Sequence, residues 1–478
     1  MNLHRLIADI AQTTLPDTEI TDIVSDTRGV ITAGTLFVCV AGKQFDAHTM
    51  AAELLAKGAA AVVVERDLGL ERQILVSDTR EALSALCAAF FGHPERAFQL
   101  IGITGTNGKT TITTVLKEVL TGFGFKVGLI GTRQNEIGNE IFHTERTTPE
   151  PYELYALFRK MADAGCDYVV MEVSSQGLAQ KRLGPCRFAA AAFTNLTQDH
   201  LDVHGTMEDY YQAKKLLFGL CDKAAVNIDD AYGARLFDEI TCEKASVSTT
   251  RKADFTARDI RLHAGGADYT IAGVQGAYPV RFGIPGVFNV MNTAQVLAVL
   301  VQMGFALERA AAAVSVAHGV RGRAEVIPTG RDFTVLCDYA HTPDAIENIM
   351  TAVREVATGR VVCLFGCGGT RDAKKRPLMA QAAARHSDFL ILTSDNPRDE
   401  EPERILDEIE AGLSGVTVPY IKITDRIEAI HWAVNNAQKD DVIVLAGKGH
   451  EDYQILAGGV KIHLDEREIV AQALAGLN

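Results

Sequence analysis

Basic residues are in short supply: 47 Lys and Arg stand against 61 Asp and Glu, a formal net charge of −14. Phosphate backbones are gripped through surplus cations, so this balance excludes nucleic acid as the expected partner, though not small anionic molecules. Long apolar runs are absent too. None approaches the roughly 20 residues that a membrane-spanning helix needs. The opening MNLHRLIADIAQTTLPDTEI carries acids early and reads as neither a secretory signal nor a transit peptide, so a cytoplasmic protein is expected. The nine cysteines are odd in number and scattered, several inside strand-like runs such as LFVCV and VLCDY, which suits reduced, packed thiols and not a disulfide framework. Only Cys363 and Cys367 lie close together, and no further Cys or His pair is nearby to complete a zinc site. Low-complexity linkers and internal repeats are also missing.

What is present is a globular composition, 47% hydrophobic and 23% charged. At 478 residues the chain exceeds one ordinary core, and domains of about 100 to 200 residues predict three. Short apolar runs alternate with helix-period segments, the pattern of α/β domains. Residues 1–94 read as a small α/β domain with strands in TLFVCVAG and AVVVE. Residues 95–323 read as a central phosphate-loop type of parallel sheet with an antiparallel section near 253–283. Residues 324–478 read as a Rossmann-like, doubly wound domain with strands in FTVLCDYA, RVVCLFGCGG, DFLILTSDNP and DVIVLAGKGH, each expected to lead into a helix. In such sheets ligands bind beyond the carboxyl ends of the strands, and the polar clusters below all sit at such ends.

FQLIGIT, then GTNGKTT (105–111), then an amphipathic stretch reads as strand, phosphate loop, helix. Glycines let backbone N–H groups face a phosphate, the helix start adds its dipole, Lys109 brings a point charge and Thr110 a hydroxyl for Mg2+. The common G-x-x-x-x-G-K-[ST] spacing fails, because Ile103 stands five places before Gly108, so the loop is a variant. Glu172 in MEVSS and His200 in NLTQDHLDVHG end the next two strands; they are either companions around a divalent ion or a structural pair. The Lys214–Lys215 doublet reads on its residues alone as a solvated helix face. Asn289, Asn292, His341 and Asp344 begin helices and either address a nucleotide or cap the helices. Arg371 projects from GCGGTRDAKKRP, Lys448, His450 and Glu451 lie in GKGHED, and Asp395, Asn396, Pro397 and Arg398 make a polar exit from an apolar strand.

Taken in order, GTNGKTT, EVSS, TQDHLDVHG, YYQAKK, GVFNVMN, DYAHTPDA, GCGGTRDAKKRP, DNPR and GKGHE resemble the Mur ligases of peptidoglycan synthesis over nearly the full length. The resemblance implies ATP-dependent addition of meso-2,6-diaminopimelate to the D-glutamate of UDP-N-acetylmuramoyl-L-alanyl-D-glutamate, by way of an acyl phosphate. It implies an ATP site of Gly105, Thr106, Asn107, Gly108, Lys109, Thr110 and Thr111 with Asn292, His341 and Asp344. It also implies two magnesium ions served by Thr110, Glu172, His200 and a Lys214 carboxylated by CO2. The catalytic residues would be Lys109, Lys214 and His200. Ser25, Thr27, Lys43, Gln44 and Phe45 resemble the uridine site; Thr147, Thr148, Ser174, Gln180 and Arg182 resemble the residues that hold the muramoyl dipeptide. The family usually has Ser where Thr27 stands and Asp-Gly-His where this chain has Asp46-Ala47-His48. The hydroxyl survives the first change.

Arg371, Asp395, Asn396, Pro397, Arg398, Gly447 and Glu451 match the pocket for the added amino acid. Relatives that add lysine lack the arginine of DNPR. Diaminopimelate carries a carboxylate at the far end of its side chain that Arg398 can grip as a fork, and lysine does not. The same ligase adding lysine or another diamino acid is the nearest alternative, and a folylpolyglutamate synthase the next. The expected partners are the two small-molecule substrates, and the expected assembly is a monomer.

Overall fold

The structure, a computed structural model, describes residues 1–42, 45–197, 201–263, 265–319, 322–371 and 373–476. Two compact units emerge, Met1–Phe255 with Gln295–Ala306, and Thr256–Ala294 with Leu307–Asn478. The fold class is α/β with mainly parallel sheets, as the alternation of runs predicts.

In the first unit, β1 (Asp22–Val24), β2 (Thr35–Val38), β3 (Ala61–Val64) and β4 (Gln73–Leu75) form a parallel sheet in chain order. β2 and β3 are buried at every position, the mark of strands covered on both faces. A second sheet follows: β5 (Gln99–Thr104), β6 (Val127–Ile130), β7 (Asn135–Ile137), β8 (Glu140–Phe142), β9 (Tyr168–Glu172), β10 (Phe188–Phe193), β11 (Lys223–Asn227) and β12 (Glu243–Ser248). Its order, β12-β11-β10-β5-β9-β6-β7-β8, puts β5 between β9 and β10, where the winding reverses. That reversal opens a crevice at the carboxyl ends. Register brings Ile103 beside Glu172 and Thr104 beside Phe193, so the loop after β5 starts level with the exits of both neighbours. The helix Lys109–Gly122 turns Ile112, Val115, Leu116, Val119 and Leu120 inward at 3-4 spacing.

In the second unit, β13 (Phe255–His263), β14 (Gly266–Gly273) and β15 (Gly276–Phe282) make the expected antiparallel section. The last sheet contains β16 (Glu325–Ile327), β17 (Thr334–Asp338), β18 (Val361–Phe365), β19 (Phe389–Leu392), β20 (Tyr420–Lys422) and β21 (Val442–Ala446), ordered β16-β17-β21-β18-β19-β20. Its four inner strands are those legible in the sequence. The two edges are not: β16 and β20 are three residues long and each includes a charged residue, so neither carries an apolar run. One expectation is corrected. GKGHED does not lead straight into a helix; the hairpin β22 (Tyr453–Ile455) and β23 (Lys461–His463) intervenes, turning through Gly458 and Gly459 at positive φ.

Beneath the carboxyl ends of this sheet lies a fully buried ion pair. Arg426, which starts the helix Arg426–Asn435, donates from Nε and Nη2 to Glu466 Oε1 at 2.9 and 2.7 Å. Its remaining N–H groups reach Ser394 O at 3.2 Å and Ala446 O at 2.9 Å, and Cys337 Sγ donates to Glu466 Oε2 at 3.0 Å. Burial and the Glu466 charge raise the Cys337 thiol well above its usual range, so it remains a neutral donor. Arg426→Leu alone strands a buried carboxylate and is expected to destabilise the chain by about 3–5 kcal/mol, whereas Arg426→Leu with Glu466→Met recovers most of that loss. Urea midpoints of the two variants test this.

Candidate active site

Around β5 the chain brings together residues far apart in sequence. Gly105, at φ 144°, comes so close to the segment after β10 that an added Cβ would lie 1.8 Å from Thr194 Oγ1. Only glycine meets both demands. Thr106 N donates to Asn195 O at 2.9 Å, Asn107 N to Asn195 Oδ1 at 2.9 Å, and Thr194 Oγ1 to Asn107 O at 2.5 Å, which clamps the loop. Lys109 Nζ donates to Gly105 O and Thr106 O at 2.9 and 2.8 Å. Thr111 follows in the first turn of the helix that Gly108, at φ 88°, begins.

Glu172, 1% exposed, ends β9 against this loop. Its carboxylate accepts from Thr110 Oγ1 at 3.0 Å, Thr132 N at 3.1 Å and Thr132 Oγ1 at 2.9 Å, so the buried charge is answered by three donors. A carboxylate beside a hydroxyl is a hard-oxygen pair of the kind magnesium takes, and these two residues fit such an ion. Among the described residues no group of three His, Cys, Asp or Glu converges. His200, Lys43 and Gln44 lie outside the described residues, as does the side chain of Asp344.

Lys214 overturns its solvated reading: it is 2% exposed, it donates to Gly105 O at 2.9 Å, and its ammonium lies 4.5 Å from the Tyr210 ring centre. The sequence neighbour Lys215 instead pairs with Glu239 at 2.7 Å. Position on the helix Met207–Lys215 separates the two, and adjacent residues there face different ways.

Beside Glu172 a cavity of about 270 Å³ is lined by Thr132, Thr147, Thr148, Ser174, Arg182 and His204, among others. Four of these are residues that the sequence marks for the dipeptide. Gln180, the fifth, orients Arg182, accepting from its Nε and Nη2 at 3.1 and 2.6 Å. Arg182 also donates to Thr148 O at 2.7 Å and pairs with Glu150 at 2.8 Å. Burial lowers its pKa from the usual arginine range, with Glu150 opposing the shift. Ser25 follows β1 and, with Thr27 and the half-exposed Phe45, belongs to the carboxyl-end loops of the N-terminal sheet.

In the second unit Asn292 is buried on the helix Val287–Gln302, its Nδ2 3.4 Å from Asn289 Oδ1, while Asn289 Nδ2 donates to Pro285 O at 2.8 Å. The helix Pro343–Arg354 is capped by Thr342, which leaves His341 out of that role. His341 Nδ1–H donates to Tyr339 O at 2.8 Å, and the Tyr339 ring meets His341 edge-on at 4.7 Å and His450 at a tilt at 4.9 Å between ring centres.

The residues assigned to the amino-acid pocket divide by contact. Asp395 and Asn396 are buried, and Arg398, at φ 52°, donates from Nη1 to Gly369 O at 3.0 Å. Glycines make room: a Cβ at Gly369 would lie 1.9 Å from Pro397 O, and one at Gly368 2.9 Å from Arg398 Nη1. Asn396 Nδ2 donates to Glu451 Oε2 at 3.1 Å, and Gly447, at φ 116°, sits beside Asp395. Asp395 Oδ1 is buried and accepts no hydrogen bond among the described residues. Arg371 is exposed on the loop after β18. Sequence reasoning missed Thr132, Asn195 and Tyr210, since a threonine, an asparagine and a tyrosine carry no local signature of what they touch.

A clamped glycine loop at a sheet's switch point, with a buried carboxylate behind its threonine, defines a phosphate-binding α/β enzyme. Comparison with known proteins narrows the class. Residues 103–300 match the Mur ligase middle domain and residues 322–449 the Mur ligase, glutamate ligase domain. UDP-N-acetylmuramoyl-L-alanyl-D-glutamate--2,6-diaminopimelate ligase of Geobacillus kaustophilus is 43% identical, covering 95% of each chain. Its counterpart in Clostridioides difficile is 42% identical, covering 96% of this chain and 95% of that one. A solved structure with the same enzyme name is 32% identical, with a TM-score of 0.78, covering 100% of this chain and 99% of that one. A folylpolyglutamate synthase from Mycobacterium tuberculosis, at 18% identity and TM-score 0.55 over 77% of this chain and 91% of that one, shares the fold. The chain belongs to the Mur ligase family.

Gly105→Ala is expected to push the loop off Thr194 and weaken nucleotide binding by about tenfold or more, about 1.4 kcal/mol. Calorimetric titration with a non-hydrolysable ATP analogue measures it; unchanged affinity would mean that this close approach is not needed.

Proposed function

We propose that the protein is the ATP-dependent ligase that joins meso-2,6-diaminopimelate to the D-glutamate of UDP-N-acetylmuramoyl-L-alanyl-D-glutamate, in the making of peptidoglycan precursors. The observation that carries this reading is the convergence at Gly105, where the phosphate loop, Glu172 and the buried Lys214 meet beside the Arg182 cavity. A carboxylate is a poor electrophile, so ATP must first convert it to an acyl phosphate that an amine can attack, and two anions must be brought together. Backbone N–H groups of residues 108–111 and the Lys109 ammonium would cradle the phosphates, those of Thr106 and Asn107 being taken by Asn195. Arg182, with Thr147, Thr148, Ser174 and Gln180, would hold the anionic dipeptide. Magnesium, when bound through Thr110, Glu172, His200 and a carboxylated Lys214, supplies charge neutralisation to the phosphoryl group. Asn292, His341 and Asp344 would address adenine and ribose. Ser25, Thr27, Lys43, Gln44 and Phe45 would serve the uridine end.

Three functional parts, 1–94 for the uridine nucleotide, 95–323 for ATP and 324–478 for the amino acid, remain the division we favour for these tasks. Arg371, Asp395, Asn396, Pro397, Arg398, Gly447 and Glu451 would receive the incoming amino acid. Arg398 favours diaminopimelate over lysine, because a guanidinium left without its carboxylate loses a charge-assisted bond of roughly 1.5–3 kcal/mol. The direct test incubates the protein with ATP, Mg2+ and the UDP-dipeptide, offers a panel of amino acids, and weighs the product.

Two substitutions separate the parts. Arg398→Ala should collapse the preference for meso-diaminopimelate over lysine, read as the ratio of kcat/KM values; an unchanged ratio would remove Arg398 from the selectivity role. Lys214→Ala should abolish turnover and regain part of it with added short-chain carboxylic acids, which restore an anion in the vacated space. A fully active Lys214→Ala protein would rule out the carbamate.

A further inference from the structure

Lys448 is a cation with no exposure to water at all. Its ammonium donates to Asn396 Oδ1 at 2.5 Å and to Tyr453 O at 2.8 Å, with Glu451 Oε2 and Asp395 Oδ1 each 3.3 Å away. None of the residue's functional atoms is turned outward, so Lys448 cannot itself hold a ligand. Its effect runs through Asn396. The side-chain oxygen of that amide also accepts Ile455 N at 2.9 Å. With Oδ1 taken by one ammonium and one backbone N–H, the amide orientation is fixed, and Nδ2 must be the end that faces Glu451 Oε2. One lysine thereby ties the DNPR turn, the GKGHED turn and the start of the β22–β23 hairpin into a single rigid body.

The charges point the same way. Asp395 and Glu451 bring two negative charges to the cluster and Lys448 one positive, leaving one carboxylate's worth of charge uncompensated, with Asp395 Oδ1 still lacking a hydrogen bond among the described residues. Arg398 supplies a separate cation on the same turn. A ligand bearing an ammonium and a carboxylate a few bonds apart is complementary to this pair of needs, which is the chemistry of the far end of a diamino dicarboxylic acid.

We propose that Lys448 is a positioning residue for amine selection: buried beneath the pocket, it locks Asn396 and Glu451 in the geometry that distinguishes a diamino dicarboxylic acid from a simple diamine. The proposal rests on the amino-acid pocket assigned above. The test compares wild type with Lys448→Met, following phosphate release at saturating ATP and UDP-dipeptide while meso-diaminopimelate or L-lysine is varied, with affinity for a non-hydrolysable ATP analogue as control. The expected result is a KM for meso-diaminopimelate raised about 10- to 100-fold, as for loss of a charge-assisted bond, and a parallel fall in preference over lysine. Nucleotide affinity should stay within about twofold of wild type, since general damage would weaken both ligands together. Unchanged KM and selectivity overturn the proposal, and so does an equal loss of affinity for nucleotide and amine. Lys448→Gln, which keeps a donor for Asn396 Oδ1 without the charge, carries the same comparison where the methionine variant does not fold. Wild type that releases no phosphate in response to any amine would instead refute the ligase reading, and this proposal with it.

Discussion

A charged side chain withheld from water costs several kcal/mol unless partners replace its hydration, and that requirement organises both halves of this molecule. Glu172 is answered by two threonines, Lys214 by a loop carbonyl and an aromatic face, Arg426 by Glu466 and two strand-end carbonyls, and Lys448 by an asparagine, a carbonyl and two carboxylates. Each of these charges has at least one partner distant in sequence: Thr110 for Glu172, Gly105 for Lys214, Glu466 for Arg426 and Asn396 for Lys448. The functional loops are therefore held less by their own turn chemistry than by a few ions that must be satisfied from several directions at once.

Parallel sheets make this arrangement available. Their strands all deliver their carboxyl ends to one rim, and at β5 the reversal of winding separates the loops enough to leave a crevice. The interior strands are apolar on both faces, so polar residues can gather only at the exits. Gly105 then decides how close two exits approach, because any side chain there would strike Thr194. Glycine at this point sets a distance between strands as much as it frees a backbone.

The same physics explains what could be read from the chain. Strands β5, β9, β10, β17, β18, β19 and β21 announce themselves as apolar runs, and GTNGKTT as a glycine-rich exit. Edge strands β16 and β20 carry no such run, and the β22–β23 hairpin interrupts what reads as a strand-to-helix connection. Site residues follow a similar divide. Thr110 and Lys109 are local to their motif, but Thr132 and Asn195 act only through contacts across 40 and 88 positions, which no spacing rule encodes. Lys214 misleads in the opposite sense: a lysine doublet near a helix end is ordinarily a wet face, and only the helix's orientation against the loop shows that one of the two is buried.

That burial bears on how such a residue could serve a phosphoryl-transfer site. As an amine, Lys214 adds a positive charge beside a loop that already has Lys109, and spends a donor on Gly105 O. A carbamate formed on the same nitrogen would still carry one N–H for that carbonyl while presenting two oxygens, so the loop would keep its anchor as the local charge reversed. Aspartate or glutamate on the same helix would be shorter and would lack the N–H, leaving Gly105 O without this donor in a place closed to water. Glutamine would keep an N–H but offer one neutral oxygen, so an N–H anchor joined to an anionic pair of oxygens is a combination that no unmodified side chain of the standard set provides.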